Sequence, residues 1–258
     1  MSLQLWTPAQ AQAQGFGDHR ACRYVQDAHG QILNLHTEQR LLYWQGELLP
    51  LTINQTATTA PAVEQSYVVS PLSTFGSYAH YELRQLQMTW VTWPLHGLVA
   101  WFRQRMLHAD MDHVVHLNNW QLSTNLYPCD WLPEDIPNTT AALCQQFPEH
   151  ALVFRSLNDA SNPQLLAKFA AAGYLPVPSR QVYLFDGKGD TSFSRKHNYK
   201  LDSALWRKTH YQRVDGSALA PSDFDRLSEL YNQLYRQKYC TLNPQYSAAW
   251  LQRGVAHG

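Results

Sequence analysis

No apolar run in this chain approaches the roughly 18–20 residues that a membrane-spanning helix needs. The longest apolar passage, residues 91–107, is interrupted by Pro94, His96 and Arg103. Residues 1–17 are rich in Gln and Ala and have no basic region followed by an apolar stretch, so they read as neither signal peptide nor anchor. An excess of one charge is also lacking. Lys plus Arg (20) equals Asp plus Glu (20), whereas binders of nucleic acid or membrane surfaces carry a basic surplus. Cysteine is sparse: Cys22, Cys129, Cys144 and Cys240 lie far apart with no CxxC spacing. That excludes a disulfide framework or structural zinc and leaves buried thiols in a reducing cytoplasm as the expectation. No Gly-x-Ser-x-Gly elbow is present, and no cysteine has an activating neighbour, so a nucleophilic triad is not expected.

What is present is a core-forming composition. Hydrophobic residues make up 45% and charged residues 16%, with 9 Trp and 14 Tyr, which describes a packed globular protein rather than a disordered one. Short strand-like runs at 23–26, 32–36 and 41–45, separated by turn signals, predict a small β meander. An aperiodic connector follows at 52–65. Helical patterns occupy 77–84 and 95–107, the second with Leu95, Leu98, Val99, Phe102 and Met106 on one stripe. A strand is expected from 112 towards Trp120, then a polar, Pro-containing loop at 123–137. Asn138 or Thr139 is expected to cap a helix running to Phe147. Next come a strand at 151–154, a helix with Leu165, Leu166 and Phe169 inward that stops at Gly173, and a strand at 180–185. Beyond a turn at 187–190 lie a basic stretch at 194–200, a short helix ending near Lys208, a strand at 211–214 and a helix from about 222. The apolar face of that last helix is Leu227, Leu230, Tyr231, Leu234 and Tyr235.

Several clusters are candidates for chemistry. Asn118, Asn119, Ser123, Thr124 and Asn125, with Tyr127, form the densest run of neutral donors and acceptors; they line a cleft or satisfy the backbone of a long loop. Arg155, close to Asn158, and Arg180 lie at strand ends, where two guanidinium groups side by side suit a carboxylate or phosphate; the alternative is a pair of structural ion pairs. Residues 194–200 read as a contact for an anionic partner such as a transfer RNA, or as a solvated basic linker. Lys238, Tyr239 and Asn243 shape an inter-domain cleft or simply end a helix. His113 and His116 are an odd number apart on a strand and point to opposite faces, so no metal site is expected.

The span ALVFRSL, NDASNPQLLAKFAAAGY, RQVYLFD at 151–186 resembles the closing unit of a GNAT-type acyltransferase, with Gly173-Tyr174 matching its Gly-aromatic pair. The resemblance implies an α/β (α+β) fold, a mixed twisted sheet flanked by helices. Residues 112–124 would form the central strand whose splayed end cradles the acyl donor. The stretches SRKHNYKLDSALWRKTHYQRV and DFDRLSELYNQLYRQKYCTLNPQYSAAWL resemble the connector and opening helices of Fem-type aminoacyltransferases, which carry two such domains in tandem. The implied organisation is a β-rich segment at 1–70, a GNAT-like domain at 71–190, a basic linker at 191–208 and the start of a second, truncated domain at 209–258. Implied donors are acyl-coenzyme A or aminoacyl-tRNA, with a small-molecule acceptor and no metal. Tyr127 or Tyr183 would act as general acid. One departure stands out. Coenzyme A-dependent members carry a glycine turn after the central strand, whereas residues 126–137 hold no glycine and three acids, Asp130, Glu134 and Asp135. The resemblance therefore points to a donor held by the second domain, or else to a non-catalytic binding scaffold. An apolar face left open on the 223–239 helix would favour dimerisation.

Overall fold

The computed structural model describes residues 3–55, 64–85, 89–128, 130–184 and 192–256. The strands are β1 (Gln4–Trp6), β2 (Glu38–Trp44), β3 (Glu47–Ile53), β4 (Val114–Leu117) and β5 (Ala151–Phe154). The helices are α1 (Pro8–Ala13), α2 (Arg20–Ala28), α3 (Tyr78–Gln85), α4 (Thr89–His108), α5 (Ile136–Gln146), α6 (Pro163–Ala171), α7 (His197–Lys208), α8 (Pro221–Tyr231) and α9 (Ala248–Ala256). Wide π-type turns at Leu72–Ser77 and Asn232–Tyr239 lead into α3 and extend α8.

The strands form one open mixed sheet in the order β1-β2-β3-β4-β5, antiparallel except for the parallel β4–β5 pair. The β2–β3 hairpin closes on Gln45-Gly46, with φ of 50° and 90°, because a two-residue turn that matches strand twist needs positive φ at both positions. Period-2 alternation makes both faces apolar. Leu42, Trp44, Leu49, Leu51, Val115 and Leu117 pack against α5 and α6 through Ile136, Leu143, Leu165 and Phe169. Leu41 and Leu48 face the other way, onto Ala11 of α1 and Ala21, Cys22 and Val25 of α2. Each fully buried Leu or Phe on these faces contributes about 1.5–3 kcal/mol. The result is a three-layer α/β arrangement with its sheet covered on both sides.

Several expectations are corrected. Residues 23–26 are helical, because Ala21, Cys22, Val25 and Ala28 recur at helical spacing and are the buried positions of α2. Ile32 makes a single antiparallel bridge to Tyr246 rather than starting a strand. The remaining N-terminal strands do not stand apart as a meander: β3 pairs with β4, so β1–β3 share one sheet with β4 and β5. The stripe expected on α4 is largely open, with Met106 buried and Leu98 and Phe102 exposed, since α4 packs only along α3 and the turn before it. Asp135, not Asn138 or Thr139, occupies the N-cap of α5.

Residues 180–184 are not a strand. Pro176 and Pro178 offer no N–H to a ladder and steer the chain away after Gly173, whose φ of +90° ends α6. Residues 211–214 also carry no strand. The turn expected at 187–190, residues 56–63 of the connector, Phe185 and Cys129 lie outside the described residues.

The C-terminal segment folds back onto the first half. Cys240 and Leu242 pack on Tyr67, Val68 and Val69, and Ser66 Oγ donates to Leu242 O at 2.8 Å. Gln245 N donates to Asn34 Oδ1 at 2.8 Å, and Asn34 Nδ2 donates to Asn243 O at 2.9 Å. On the outer side Leu227, Leu230, Leu234 and Tyr235 remain 39–43% exposed, as the sequence predicts for the helix over 223–239. No helix among the described residues is long and apolar enough to cross a membrane.

Candidate functional site

In an open α/β sheet the carboxyl ends of parallel strands are where ligands find room, because the chain must turn away there. Here the two exits, after Leu117 and after Phe154, concentrate backbone strain: Asn118, Gln121 and Ser156 have φ of 52°, 53° and 66°. Such positions persist only where surrounding bonds fix them. The bonds are supplied by the asparagine run. Asn118 Nδ2 donates to Leu126 O at 2.7 Å, and its Oδ1 accepts from Trp120 Nε1 at 2.9 Å. Asn119 Nδ2 donates to Thr52 Oγ1 (2.9 Å) and Val68 O (3.0 Å), while its Oδ1 accepts from Gln121 N (3.1 Å) and Arg155 Nη1 (3.0 Å). Asn125 Oδ1 accepts from Trp120 N at 3.2 Å. All three asparagines are buried; Asn118 serves the loop itself, while Asn119 ties it to Thr52, Val68 and Arg155.

Arg155 reaches from the end of β5 to this hub. Its Nη1 also donates to Val68 O at 2.8 Å, which ties the β4 and β5 exits to the 64–70 segment. Arg180 arrives from the irregular stretch after α6, and its Cζ sits 4.9 Å above the Tyr67 ring. Two guanidinium groups thus dock on consecutive residues, Tyr67 and Val68. Burial and then the positive charge of Arg180 lower the Arg155 pKa to about 10, against the opposing effect of Tyr67 and Tyr127. Among the described residues neither arginine has a carboxylate partner.

Further tyrosines lie near Tyr67. Tyr67 meets Tyr78 edge-on at 5.4 Å, and Tyr231 meets Tyr246 at 5.0 Å. Burial, with Tyr67 beside it, raises Tyr246 to about 12; burial and then Glu82 raise Tyr78 to about 12. Burial, then Tyr246 and Tyr67, pushes Tyr231 up as well. Tyr78, Tyr231 and Tyr246 therefore stay neutral at ordinary pH. Beside them a groove of about 650 Å³ is lined by Phe75, Tyr78, Leu83, Leu95 and Val99, with Arg180 in its wall.

The other residues singled out by sequence lie elsewhere. Tyr127 is sealed: its hydroxyl donates to Arg155 O at 2.7 Å, and burial pushes its pKa up. Tyr127→Phe is expected to cost about 1–2 kcal/mol by leaving that carbonyl unpaired, read as a lower urea midpoint at unchanged slope. Tyr183 is 88% exposed and does not meet Tyr127. Ser123 and Thr124 are exposed, and Asn158 accepts from Ala160 N and Ser161 N ahead of α6. Lys238 rides on the Tyr239 ring at 5.8 Å, and Asn243 Nδ2 donates to Tyr235 O and Cys240 O, so this trio ends a helix rather than lining the cleft. Tyr67, on whose ring Arg180 sits, and Tyr246, whose ring meets Tyr231, were not singled out. The only signal in the sequence is the density of tyrosine, and Tyr231 reads there as part of an apolar stripe.

The loop between β4 and α5 does not suit a pyrophosphate. Trp131 is packed inside it, 5.2 Å from Trp44, and Asp135 stands at the helix N-terminus where an anion would bind. Among the described residues no group of three or more His, Cys, Asp or Glu is placed to hold a metal. No family model, no curated protein and no solved structure matches the chain, so the reading of the site rests on its own geometry.

Proposed function

We propose that this chain is a GNAT-like acyl- or aminoacyltransferase module that holds a small anionic acceptor at the carboxyl ends of β4 and β5. The observation that carries the reading is the meeting of Arg155 and Arg180 on Tyr67 and Val68 in front of the parallel strand pair. The order β4, α5, β5, Asn-containing turn, α6, Gly173-Tyr174 supports it, since it follows the unit of the sequence resemblance up to, but not including, its final strand. In the reaction the acceptor amine attacks the donor's acyl carbon, a C–N bond forms, and the thiolate or alkoxide leaves with the amine proton. The contribution of the chain is positioning: two cations fix the acceptor's anionic end while neutral phenols donate to the remaining oxygens. The β4–α5 loop gives a pyrophosphate no seat, so the donor is not held there; an aminoacyl ester, which has no pyrophosphate, meets this constraint better than acyl-coenzyme A.

The test is an end-point assay by mass spectrometry with acetyl-coenzyme A or aminoacyl-tRNA as donor and a mixture of amino-carboxylates as acceptors. The expected result is one N-acylated product whose kcat/KM falls at least about tenfold in Arg180→Gln. Saturable acceptor binding without product from either donor contradicts transfer. It would leave the second reading, a non-catalytic binding domain, which the sealed Tyr127 and the glycine-free loop favour.

A further inference from the structure

We infer that the Tyr67–Arg155–Arg180 cleft and the groove beside it form a binding site for a small monocarboxylate with an apolar, ring-sized body. The inference goes beyond acyl transfer and stands whether or not any group is transferred. Its first support is geometric. Arg155 Nη1 lies 2.8 Å from Val68 O, and Arg180 Cζ lies 4.9 Å from the ring of the preceding residue, so two like charges converge on one spot. Gathering two cations without a counter-charge is unfavourable, and a bound carboxylate relieves it through charge-assisted hydrogen bonds. Arg180 makes no ion pair or hydrogen bond with any described residue, so its fork of donors is open.

The phenols give the second support. The ring of Tyr67 is 5% exposed, Tyr231 and Tyr246 are half-buried, and no hydroxyl of the three bonds to a described residue. Their unbonded O–H groups are donors that an anion's oxygens can use. The third support is the apolar wall. Phe75, Tyr78, Leu83, Leu95 and Val99 line about 650 Å³ of space that shares Arg180 with the cleft, which is room for a ring and a short linker. Glu82 stands in the same wall, so a dianion is repelled more strongly than a monoanion. Head and body requirements together select an amphipathic carboxylate over inorganic phosphate.

The experiment is calorimetric titration of the full chain at pH 7.5 with phenylacetate, with 2-phenylethanol and with inorganic phosphate, paired with thermal melts. Phenylacetate is expected to bind saturably at one site, while the neutral alcohol and phosphate, each lacking half of the ligand, bind at least about tenfold more weakly. Arg180→Gln, at an exposed side chain with no ion pair or hydrogen bond among the described residues and only the Tyr67 ring beneath it, is expected to shift its melting temperature little and to weaken phenylacetate at least about tenfold. Leu95→Glu, which puts a second carboxylate in the wall, is expected to do the same, and either variant suffices if the other does not fold. Absence of saturable binding overturns the proposal. So does phosphate that binds as tightly as phenylacetate, or unchanged affinity in the folded variants. Carboxylate binding without acyl transfer leaves this inference intact and removes the transferase reading; transfer without carboxylate binding does the reverse.

Discussion

Asn119→Ala is expected to remove about 4 kcal/mol of stability, a large fraction of the 5–15 kcal/mol that holds a typical domain folded. The side chain is fully buried and its amide serves Thr52 Oγ1, Val68 O, Gln121 N and Arg155 Nη1 at 2.9–3.1 Å. Truncation leaves a guanidinium N–H and the Gln121 amide without that acceptor inside the protein, and each unpaired buried group costs about 1–3 kcal/mol. Asn119→Asp is not a rescue. The added charge favours Arg155 and the Thr52 hydroxyl can turn to donate to it, but the donor to Val68 O becomes an acceptor facing an acceptor. Ser123→Ala and Thr124→Ala, a few residues on in the same loop but exposed, are expected to stay within about 0.5 kcal/mol of wild type. Urea melts of the four variants decide the matter; an Asn119→Ala midpoint close to that of Ser123→Ala would show that the hub does not tie the strand exits together.

The second large effect is a loss of stability in mild acid. His116 lies on β4, buried on the face opposite Val115 and Leu117. Burial, reinforced by the charge of Arg155, holds its pKa well below the usual imidazole value, and its Nδ1 has no partner among the described residues. A base whose folded pKa is depressed binds more protons when unfolded. Its contribution is therefore fully present above the unfolded pKa, near 6.5, and is lost as pH falls below it. The slope for one proton is about 1.4 kcal/mol per pH unit, so roughly 2 kcal/mol disappears between pH 6.5 and pH 5. His19, His80 and His150 are depressed in the same direction, chiefly by burial, and steepen the fall. His116→Leu, similar in volume and without a polar atom to strand, is expected to flatten the slope by about one proton when unfolding is followed by urea at pH 7 and pH 5. An unchanged slope would mean that His116 is protonated in the folded chain.

Which parts of this were legible in the sequence follows from how far each signal reaches along the chain. β4, β5 and the helices after them announce themselves because a buried strand or an amphipathic helix writes its period into consecutive residues. The segment 23–26 did not, since four residues fit period 2 and period 3.6 equally well and only the longer run from Ala21 to Ala28 separates them. The strand expected at 180–185 has a suitable composition, but Pro176 and Pro178 and the pull of Arg180 onto Tyr67 decide the path instead. For the site, strand-end placement was enough to mark Arg155, whereas Arg180 was marked through a strand that does not form. It could not assign the asparagines, because an amide that lines a cleft and one that supports a loop look alike until their partners are known. Tyr67 lies far along the chain from both arginines, and nothing in the local pattern of 64–70 announces that Arg155 and Arg180 meet there.

The most direct test of the anion cleft is where a ligand sits. Crystals of the protein soaked with 4-bromophenylacetate, measured at the bromine absorption edge, give the ligand's position by anomalous scattering. The account predicts one bromine peak between Phe75, Leu95 and Val99, with the carboxylate turned towards Arg180 and Arg155. A peak elsewhere on the surface, or a groove empty at saturating ligand, would contradict it.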